Sequence, residues 1–234
     1  MANRKLVAVV IGASRGIGAE FVKQLHEDEY CVIATVRKSV DVHVQGASMV
    51  VDAVELESTE SMTKAAQKVP EADLLIINAS MGEDETMITT DSNRLNHYLD
   101  LNVTGTHRAI QAFLPALRAR KTRKIVVLAT YCGSFYHAIH EPIPTFNGPY
   151  AVSKAALHML AVQYHKELSK EGFTVLPIDP GWVDTDMGRL AGDPIQEGGN
   201  PPEISIKGML EAINSVKPDD EIRIIDYSGT VIPW

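Results

Sequence analysis

The amino-acid sequence predicts an α/β fold built on one doubly wound parallel sheet, and three observations support this fold class. Short β-branched runs alternate with longer amphipathic segments along the whole chain. Several of the runs have almost no polar alternation, which is typical of strands buried on both faces of a parallel sheet. A glycine-rich turn, GASRGIG, joins the first run to the first helical segment.

Seven strands are predicted, with helical patterns between them. The strands are residues 5–11, 31–36, 48–53, 72–79, 124–130, 173–179 and 221–227. The clearest helical patterns run from Leu95 to Ala119 and from Ala151 to Lys170. This order and the length indicate one Rossmann-like domain over residues 1–234, with a sheet of about seven strands.

One segment has the composition of a long loop. Residues 188–203, GRLAGDPIQEGGNPPE, are rich in Gly and Pro. Loops of this length are often lids or binding loops. We expect the segment to be mobile without ligand and to order over a substrate; a surface loop without a role is the alternative.

The composition argues against several classes of function. Asp and Glu number 30 against 22 Lys and Arg, a formal net charge of −8, so nucleic-acid binding is not expected. The sequence shows neither an apolar run of about 18 residues nor a signal-peptide pattern, which predicts a soluble, cytoplasmic protein that does not bind membranes. Cys31 and Cys132 are expected to be reduced thiols.

The glycine-rich turn is a candidate phosphate-binding loop. Glycine permits a tight turn, and the following helix directs free N–H groups and its positive end towards a phosphate. The spacing, Gly-x3-Gly-x-Gly, differs from the general dinucleotide fingerprint, and a turn with tight helix packing is the alternative. The candidate contacts are Gly12, Ser14, Arg15, Gly16, Ile17 and Gly18.

Tyr150 and Lys154 form a candidate catalytic pair. Residues at i and i+4 lie on one face of a helix. A free phenol has a pKa of about 10, and a nearby ammonium stabilises the phenolate and lowers that pKa, which suits proton transfer. A packed tyrosine beside a surface lysine is the alternative interpretation.

Five motifs resemble, in order along the chain, those of the short-chain dehydrogenase/reductase family. They are GASRGIG, INAS at 77–80, LNVTG at 101–105, YAVSK at 150–154 and DPGWVDTDM at 179–187. The resemblance covers essentially the whole chain, and PGWVDTDM with the ending SGTVIPW is similar to the C-factor and sniffer-type carbonyl reductases of that family. Two departures from the family pattern, at Ile11 and Ser80, remove no expected catalytic group.

The resemblance implies roles for the residues of the catalytic motifs. Tyr150 would protonate the carbonyl oxygen of a substrate, Lys154 would lower the tyrosine pKa and hold the nicotinamide ribose, and Asn102 would support a water that leads to the lysine. The family serine aligns with Thr130, which keeps the hydroxyl but adds a methyl group. Ser134 is the competing hydroxyl, and we favour Thr130 because strand ends hold catalytic groups more rigidly than loops do.

The cofactor is expected to be NADP(H). Val36 occupies the position at which an acidic residue would accept hydrogen bonds from an NAD ribose, and Arg37 follows it. Arg15 and Arg37 together suit a 2′-phosphate. The family resemblance adds further cofactor contacts at Asp52, Asn78, Tyr150, Lys154, Pro180, Gly181, Val183 and Thr185.

The longer segment between Thr130 and Tyr150 raises the question of a metal site. His137, His140 and Glu141 fit no common zinc spacing, so no metal is expected and these are interpreted as loop residues near the substrate. An apolar substrate pocket is predicted from the four residues Phe135, Phe146, Trp182 and Met187, each of which could equally belong to the core.

These observations predict an NADPH-dependent enzyme that reduces a small-molecule ketone or aldehyde to an alcohol. Two alternatives remain open: a dinucleotide-binding regulatory or signalling protein with little turnover, and a cofactor-assisted, isomerase-type enzyme. The resemblance also implies a homodimer or homotetramer that associates through the two long helices.

Overall fold

A computed structural model describes residues 4–37, 43–141 and 147–234 as a doubly wound α/β fold. Its sheet has eight strands in the order β3-β2-β1-β4-β5-β6-β7-β8. The strands are β1 Val7–Ile11, β2 Cys31–Thr35, β3 Met49–Val51, β4 Leu74–Ile77, β5 Lys124–Leu128, β6 Thr174–Asp179, β7 Ile224–Asp226 and β8 Val231–Ile232. All neighbouring pairs are parallel except β7 and β8, which are antiparallel.

Seven helices accompany the strands in the described residues. They are α1 Gly16–Glu27, α2 Thr59–Gln67, α3 Ser92–Leu99, α4 Gly105–Arg118, α5 Phe135–His140, α6 Gly148–Leu168 and α7 Pro202–Ser215. None of the helices in the described parts of the chain is both long enough and apolar enough to span a membrane.

The observed elements confirm the predicted fold class and change several boundaries. The eighth strand was not predicted, because β8 has only two residues and forms a hairpin with β7. The helical pattern from Leu95 to Ala119 is divided into α3 and α4 by a π-helical turn, Asp100–Thr104. The predicted loop at 188–203 includes a 3₁₀ turn, Gly188–Ala191, and its last two residues belong to α7.

The two faces of the sheet are covered by different helices. Alternate residues of β1 show the division, because Val9 packs with α2, α4 and α6 while Val10 packs with α1 and α7. Both residues are fully buried. Strands enclosed on both sides in this way explain the nearly continuous apolar runs in the sequence.

The winding of the sheet reverses at β1. The chain leaves β1 towards β2 and β3 on one side, and then returns to β4 on the other side. In open α/β sheets, ligands bind outside the carboxyl ends of the strands at such a switch point. Gly12 follows β1 and Asn78 follows β4, so both lie at this point.

The turn that follows β5 packs directly on α6. A Cβ atom added to Gly133 would lie 2.7 Å from His158 Cε1 and 2.8 Å from both the carbonyl carbon of Lys154 and the amide nitrogen of Ala155. Two of these three atoms are backbone atoms, which cannot move aside without displacing the helix. Glycine at this position therefore sets the distance between the turn and α6.

We predict that Gly133→Ala lowers the free energy of unfolding by about 1–3 kcal/mol, as overpacking does. Gly172→Ala is the control, because its added Cβ would meet no atom within 4 Å and only its left-handed φ of +80° is penalised. The comparison is made by urea denaturation. Equal losses in the two variants would show that the contact with α6 is not the constraint.

Candidate active site

The turn after β1 is held against the turn after β4. Gly12 has a φ of +85°, and a Cβ atom at this residue would lie 2.6 Å from Ala79 Cβ. A Cβ at Gly18 would lie 2.1 Å from the Gly12 carbonyl oxygen. The Asn78 side-chain amide donates to that same oxygen at 2.7 Å. Asn78 thus fixes the glycine loop, which adds a structural role to the cofactor contact predicted for it.

The first turn of α1 offers backbone donors to an anion. Helix α1 begins at Gly16, and the side chain of the preceding residue, Arg15, makes no capping hydrogen bond. The first N–H groups of a helix have no partner within the helix. The packed glycine loop and these donors form a cradle that fits a dinucleotide pyrophosphate. Thr185 lies beside the cradle, because its Cγ2 would be 3.2 Å from a Cβ at Gly16.

The two arginines expected at the ribose phosphate differ in their surroundings. Val36 is buried, and Arg37 is exposed immediately after β2. Arg15 forms an exposed ion pair with Asp186 of the DPGWVDTDM motif, so a carboxylate competes for this guanidinium. Asp52, the predicted adenine contact, is exposed directly after β3.

Asn102 lies at the centre of a hydrogen-bond network that supports the start of α6. It is buried in the π-helical turn, where its side chain accepts from Met81 N at 2.8 Å and donates to Met81 O at 3.0 Å. Its amide also donates to Ser153 Oγ at 2.8 Å, and Ser153 Oγ donates to Tyr150 O at 2.7 Å. Ser153, to which the sequence analysis gave no role, thus connects Asn102 to Tyr150.

The two candidate hydroxyl groups have different partners. Thr130 Oγ1 accepts from Cys132 N at 3.3 Å, which leaves the hydroxyl proton for another acceptor. Ser134 Oγ donates to Pro233 O at 2.5 Å and accepts from His137 N at 3.3 Å as the N-cap of α5. The Ser134 hydroxyl is therefore engaged in joining α5 to the C-terminal residues, and this favours Thr130 as the substrate-directed group.

Tyr150 and Lys154 lie close together on α6, where Lys154 is buried and Tyr150 is partly exposed. Lys154 Nζ donates to Leu128 O at 2.8 Å and lies 5.5 Å from the centroid of the Tyr150 ring. Burial lowers the pKa of Lys154 to about 8. Burial, reinforced by Cys132 and Asp179, raises the pKa of Tyr150 above its usual range. Desolvation of the phenolate is the main influence on the Tyr150 pKa here, and the lowering expected from the Lys154 ammonium stays a prediction.

Asp179 is a buried group whose role the sequence analysis missed. One of its oxygens accepts from Gly181 N and the other from Tyr131 N, both at 2.8 Å. Burial raises the pKa of its carboxyl group to about 6. The sequence offered a signal for Asp179, since an acidic residue ends the mostly apolar strand FTVLPID. The neighbouring Pro180 is held by Ser205, whose Oγ donates to Pro180 O at 2.6 Å.

The residues predicted to line an apolar pocket differ in their location and exposure. Met187 lies near Tyr150, because a Cβ at Gly82 would be 3.3 Å from Met187 Sδ and 3.2 Å from Tyr150 Cδ2. Phe135 is 70% exposed on α5, so it is not a core residue. Phe146 lies outside the described residues.

The loop from 188 to 203 is joined to the segment that precedes it. Asp184 N donates to Asn200 O at 2.9 Å, and Asn200 N donates to Trp182 O at 2.8 Å. Trp182 Nε1 also donates to Gly188 O at 2.7 Å. Val183, a predicted cofactor contact, is buried within this arrangement.

The described part of the segment between Thr130 and Tyr150 contains a histidine–carboxylate contact. His137 Nδ1 lies 2.8 Å from Glu141 Oε1. Across residues 4–37, 43–141 and 147–234, no three His, Cys, Asp or Glu side chains are grouped as metal ligands.

Comparisons with known proteins agree with this geometry. A family model described as short chain dehydrogenase matches residues 6–194. The chain is 31% identical over 257 residues to an uncharacterized oxidoreductase of Schizosaccharomyces pombe, with 100% of both chains covered. It is also 35% identical to C-signal of Myxococcus xanthus over an alignment of 136 residues. That alignment covers 57% of this chain and 75% of C-signal.

A solved structure of another protein also resembles this chain in its fold. The NADPH-bound carbonyl reductase from chicken fatty liver matches with a TM-score of 0.84 and 25% identity, over 99% of this chain and 95% of that one. C-signal and a carbonyl reductase are the kinds of neighbour that the narrower sequence resemblance predicted. The family match over most of the chain shows that this protein is an oxidoreductase of the short-chain dehydrogenase family, with the nucleotide-binding Rossmann-like fold of that family.

Proposed function

We propose that the protein is an NADPH-dependent carbonyl reductase that converts a ketone or aldehyde into an alcohol. One observation carries the proposal: Tyr150, Lys154 and the Thr130 hydroxyl lie at the same carboxyl edge of the sheet as the glycine cradle. An acid, a cation and a hydrogen-bond donor beside a dinucleotide cradle are the groups that carbonyl reduction requires.

Residues of the chain itself supply the proton and the hydrogen bond that polarises the carbonyl group. The raised pKa keeps Tyr150 protonated at neutral pH, so its phenol can give a proton to the carbonyl oxygen. Lys154, with a pKa of about 8, is mostly an ammonium at pH 7 and can return a proton to the tyrosine. The Thr130 hydroxyl donates a hydrogen bond to the same carbonyl oxygen. NADPH, when bound, would supply the hydride.

The proposed cofactor preference rests on charge. Arg37 is exposed beside the end of β2, and the buried Val36 offers no acceptor to an NAD ribose. Arg15 adds a second guanidinium once it releases Asp186. An exposed ion pair contributes at most about 1 kcal/mol, so a 2′-phosphate can replace the Asp186 carboxylate.

We predict that NADPH binds more tightly than NADH and that Arg37→Asp inverts this preference, because the new carboxylate repels the phosphate and accepts from a ribose hydroxyl. Dissociation constants from fluorescence titration provide the measurement. Arg223→Asp is the matched control, since this exposed arginine precedes β7 at the opposite edge of the sheet. Equal affinities of the unmodified protein for the two cofactors would contradict the proposal.

We predict that Thr130→Val lowers turnover by one to three orders of magnitude, roughly the effect of losing one polarising hydrogen bond, while NADPH affinity barely changes. Tyr150→Phe should lower turnover at least as much. Ser134→Ala is the control, because it should cost about 1 kcal/mol of stability as a lost N-cap and leave turnover nearly intact. Full activity in Thr130→Val with loss in Ser134→Ala would assign the hydroxyl to Ser134.

A second candidate function is suggested by one comparison. The likeness to C-signal favours a dinucleotide-binding signalling protein with little turnover. The two candidates are separated by following NADPH absorbance with a panel of aldehydes, ketones and quinones. Tight NADPH binding without turnover of any of these carbonyls would favour the signalling function.

We also propose that residues 1–234 act as one NAD(P)-binding domain that forms a homodimer or homotetramer through its long helices. Val152 and Met159 of α6 support this, because these apolar side chains are 42% and 58% exposed and lie seven residues apart. We predict a mass of two or four chains by light scattering, and dissociation in Met159→Glu. A monomer at micromolar concentration would contradict the proposal.

A further inference from the structure

Asp179 has no part in the chemistry described above, although it is buried beside the groups that perform it. It ends β6 and is only 3% exposed. The ionisable groups that influence it come from three directions: Tyr131 and Cys132 follow β5, Tyr150 and Lys154 belong to α6, and Asp226 ends β7. A buried carboxylate is costly unless its hydrogen bonds and charge are compensated.

Its two oxygens join two loops that are distant in sequence. One accepts from Gly181 N in the Pro180–Gly181 loop, and the other accepts from Tyr131 N, immediately after Thr130. Only a carboxylate accepts at both oxygens, because an amide would present N–H to one of the two donors.

The carboxylate also continues the β5–β6 hydrogen-bond ladder beyond the ends of the strands. The last ladder bond runs from Ala129 N to Ile178 O at 2.7 Å. The next donor in a parallel ladder, Tyr131 N, meets the Asp179 side chain instead of a main-chain carbonyl. Thr130 therefore lies between two fixed backbone bonds.

A second partner holds Thr130 from the side of α6. Thr130 N donates to His158 Nε2 at 3.5 Å, and burial lowers the pKa of this histidine to about 4, so the ring is neutral and can accept. Together, His158 and Asp179 leave the Thr130 backbone little freedom to rotate.

Resting on the proposed function, we infer that Asp179 is a positioning residue: its carboxylate clamps the turn that carries Thr130 to the Pro180–Gly181 loop and supplies a counter-charge to the Lys154 ammonium.

The strand register brings Asp179 near Lys154, because Lys154 Nζ donates to Leu128 O and Leu128 pairs with Ile178, the residue before Asp179. The pKa of Asp179, raised to about 6 by burial, leaves the group mostly ionised at pH 7. Burial lowers the pKa of Lys154, and the Asp179 carboxylate opposes that effect. Removing the charge would lower the lysine pKa further, towards neutrality.

Asp179 also affects the pH dependence of stability. Its folded-state pKa lies above the unfolded value of about 4, so the folded state binds more protons between pH 4 and 6. The stability contributed by the protonated carboxyl is complete below about pH 4 and is lost as pH rises through 6. The ionised group therefore costs stability at pH 7.

The decisive variant is Asp179→Asn, studied in the full chain. We predict that kcat falls by at least tenfold and that the alkaline limb of the pH–kcat profile moves to lower pH because Lys154 loses its counter-charge. Unchanged kcat and an unchanged alkaline limb would overturn the inference.

Two further variants separate three properties of Asp179: its charge, the position of its oxygen atoms and the burial of its carboxyl group. Asp179→Glu keeps the charge but moves the oxygens, so the alkaline limb should stay in place while kcat falls; an undiminished kcat would show that no clamp exists. Asp73→Asn is the matched control, because Asp73 is also 3% exposed but lies at the opposite edge of the sheet. Like Asp179, it accepts two hydrogen bonds, from Val7 N and Thr122 Oγ1, both at 2.9 Å. It should lower stability without moving the pH profile.

A measurement without turnover distinguishes failure of this inference from failure of the proposed function. Lysine ¹³Cε NMR titration gives the pKa of Lys154 directly, with Lys154→Met used for assignment. A lower pKa in Asp179→Asn supports the counter-charge even if no carbonyl substrate is reduced. The same Lys154 pKa in both proteins would overturn the inference, whatever the enzyme assays show.

Discussion

The close approach of two backbone turns at the carboxyl ends of β1 and β4 is the constraint on which the site depends. The reversal of winding brings Gly12 against Ala79, and the Asn78 amide closes the contact through the Gly12 carbonyl. Neither glycine of this contact tolerates a Cβ, since both Gly12 and Gly18 would meet atoms within 2.6 Å. The start of α1 is thereby fixed at the edge of the sheet where the candidate catalytic residues also lie.

The chemistry end depends on a different kind of constraint, which is the cost of burying charge. Lys154 and Asp179 each lie deep in the protein, and burial shifts the pKa of each towards its neutral form. Their mutual attraction and their backbone partners offset part of this cost. Proteins often accept such a loss of stability at functional sites, where a poised charge is required.

Two of the similar proteins differ in how much of this chain they match. Likeness to an NADPH-bound carbonyl reductase extends over nearly the whole chain, whereas likeness to C-signal covers just over half of it. The network from Asn102 through Ser153 ends on the main-chain carbonyl of Tyr150 and fixes the first turn of α6, which carries the proposed acid and cation. A protein that only binds a dinucleotide needs the cradle but does not need the proposed acid and cation. We therefore place reduction first.

The sequence by itself determined the fold class, the cradle and the identity of the candidate catalytic residues, because each depends on local spacing. Continuous apolar runs predict enclosed strands, and Tyr150 and Lys154 share a helix face whatever surrounds them. Tertiary structure alone decided how these groups are charged and which hydroxyl is available. The Tyr150 pKa reflects burial by distant segments, Ser134 is engaged by Pro233 nearly a hundred residues later, and Asp179 meets Tyr131 across two strand ends. Desolvation and hydrogen-bond competition depend on every neighbour in space, and no short stretch of sequence specifies those neighbours.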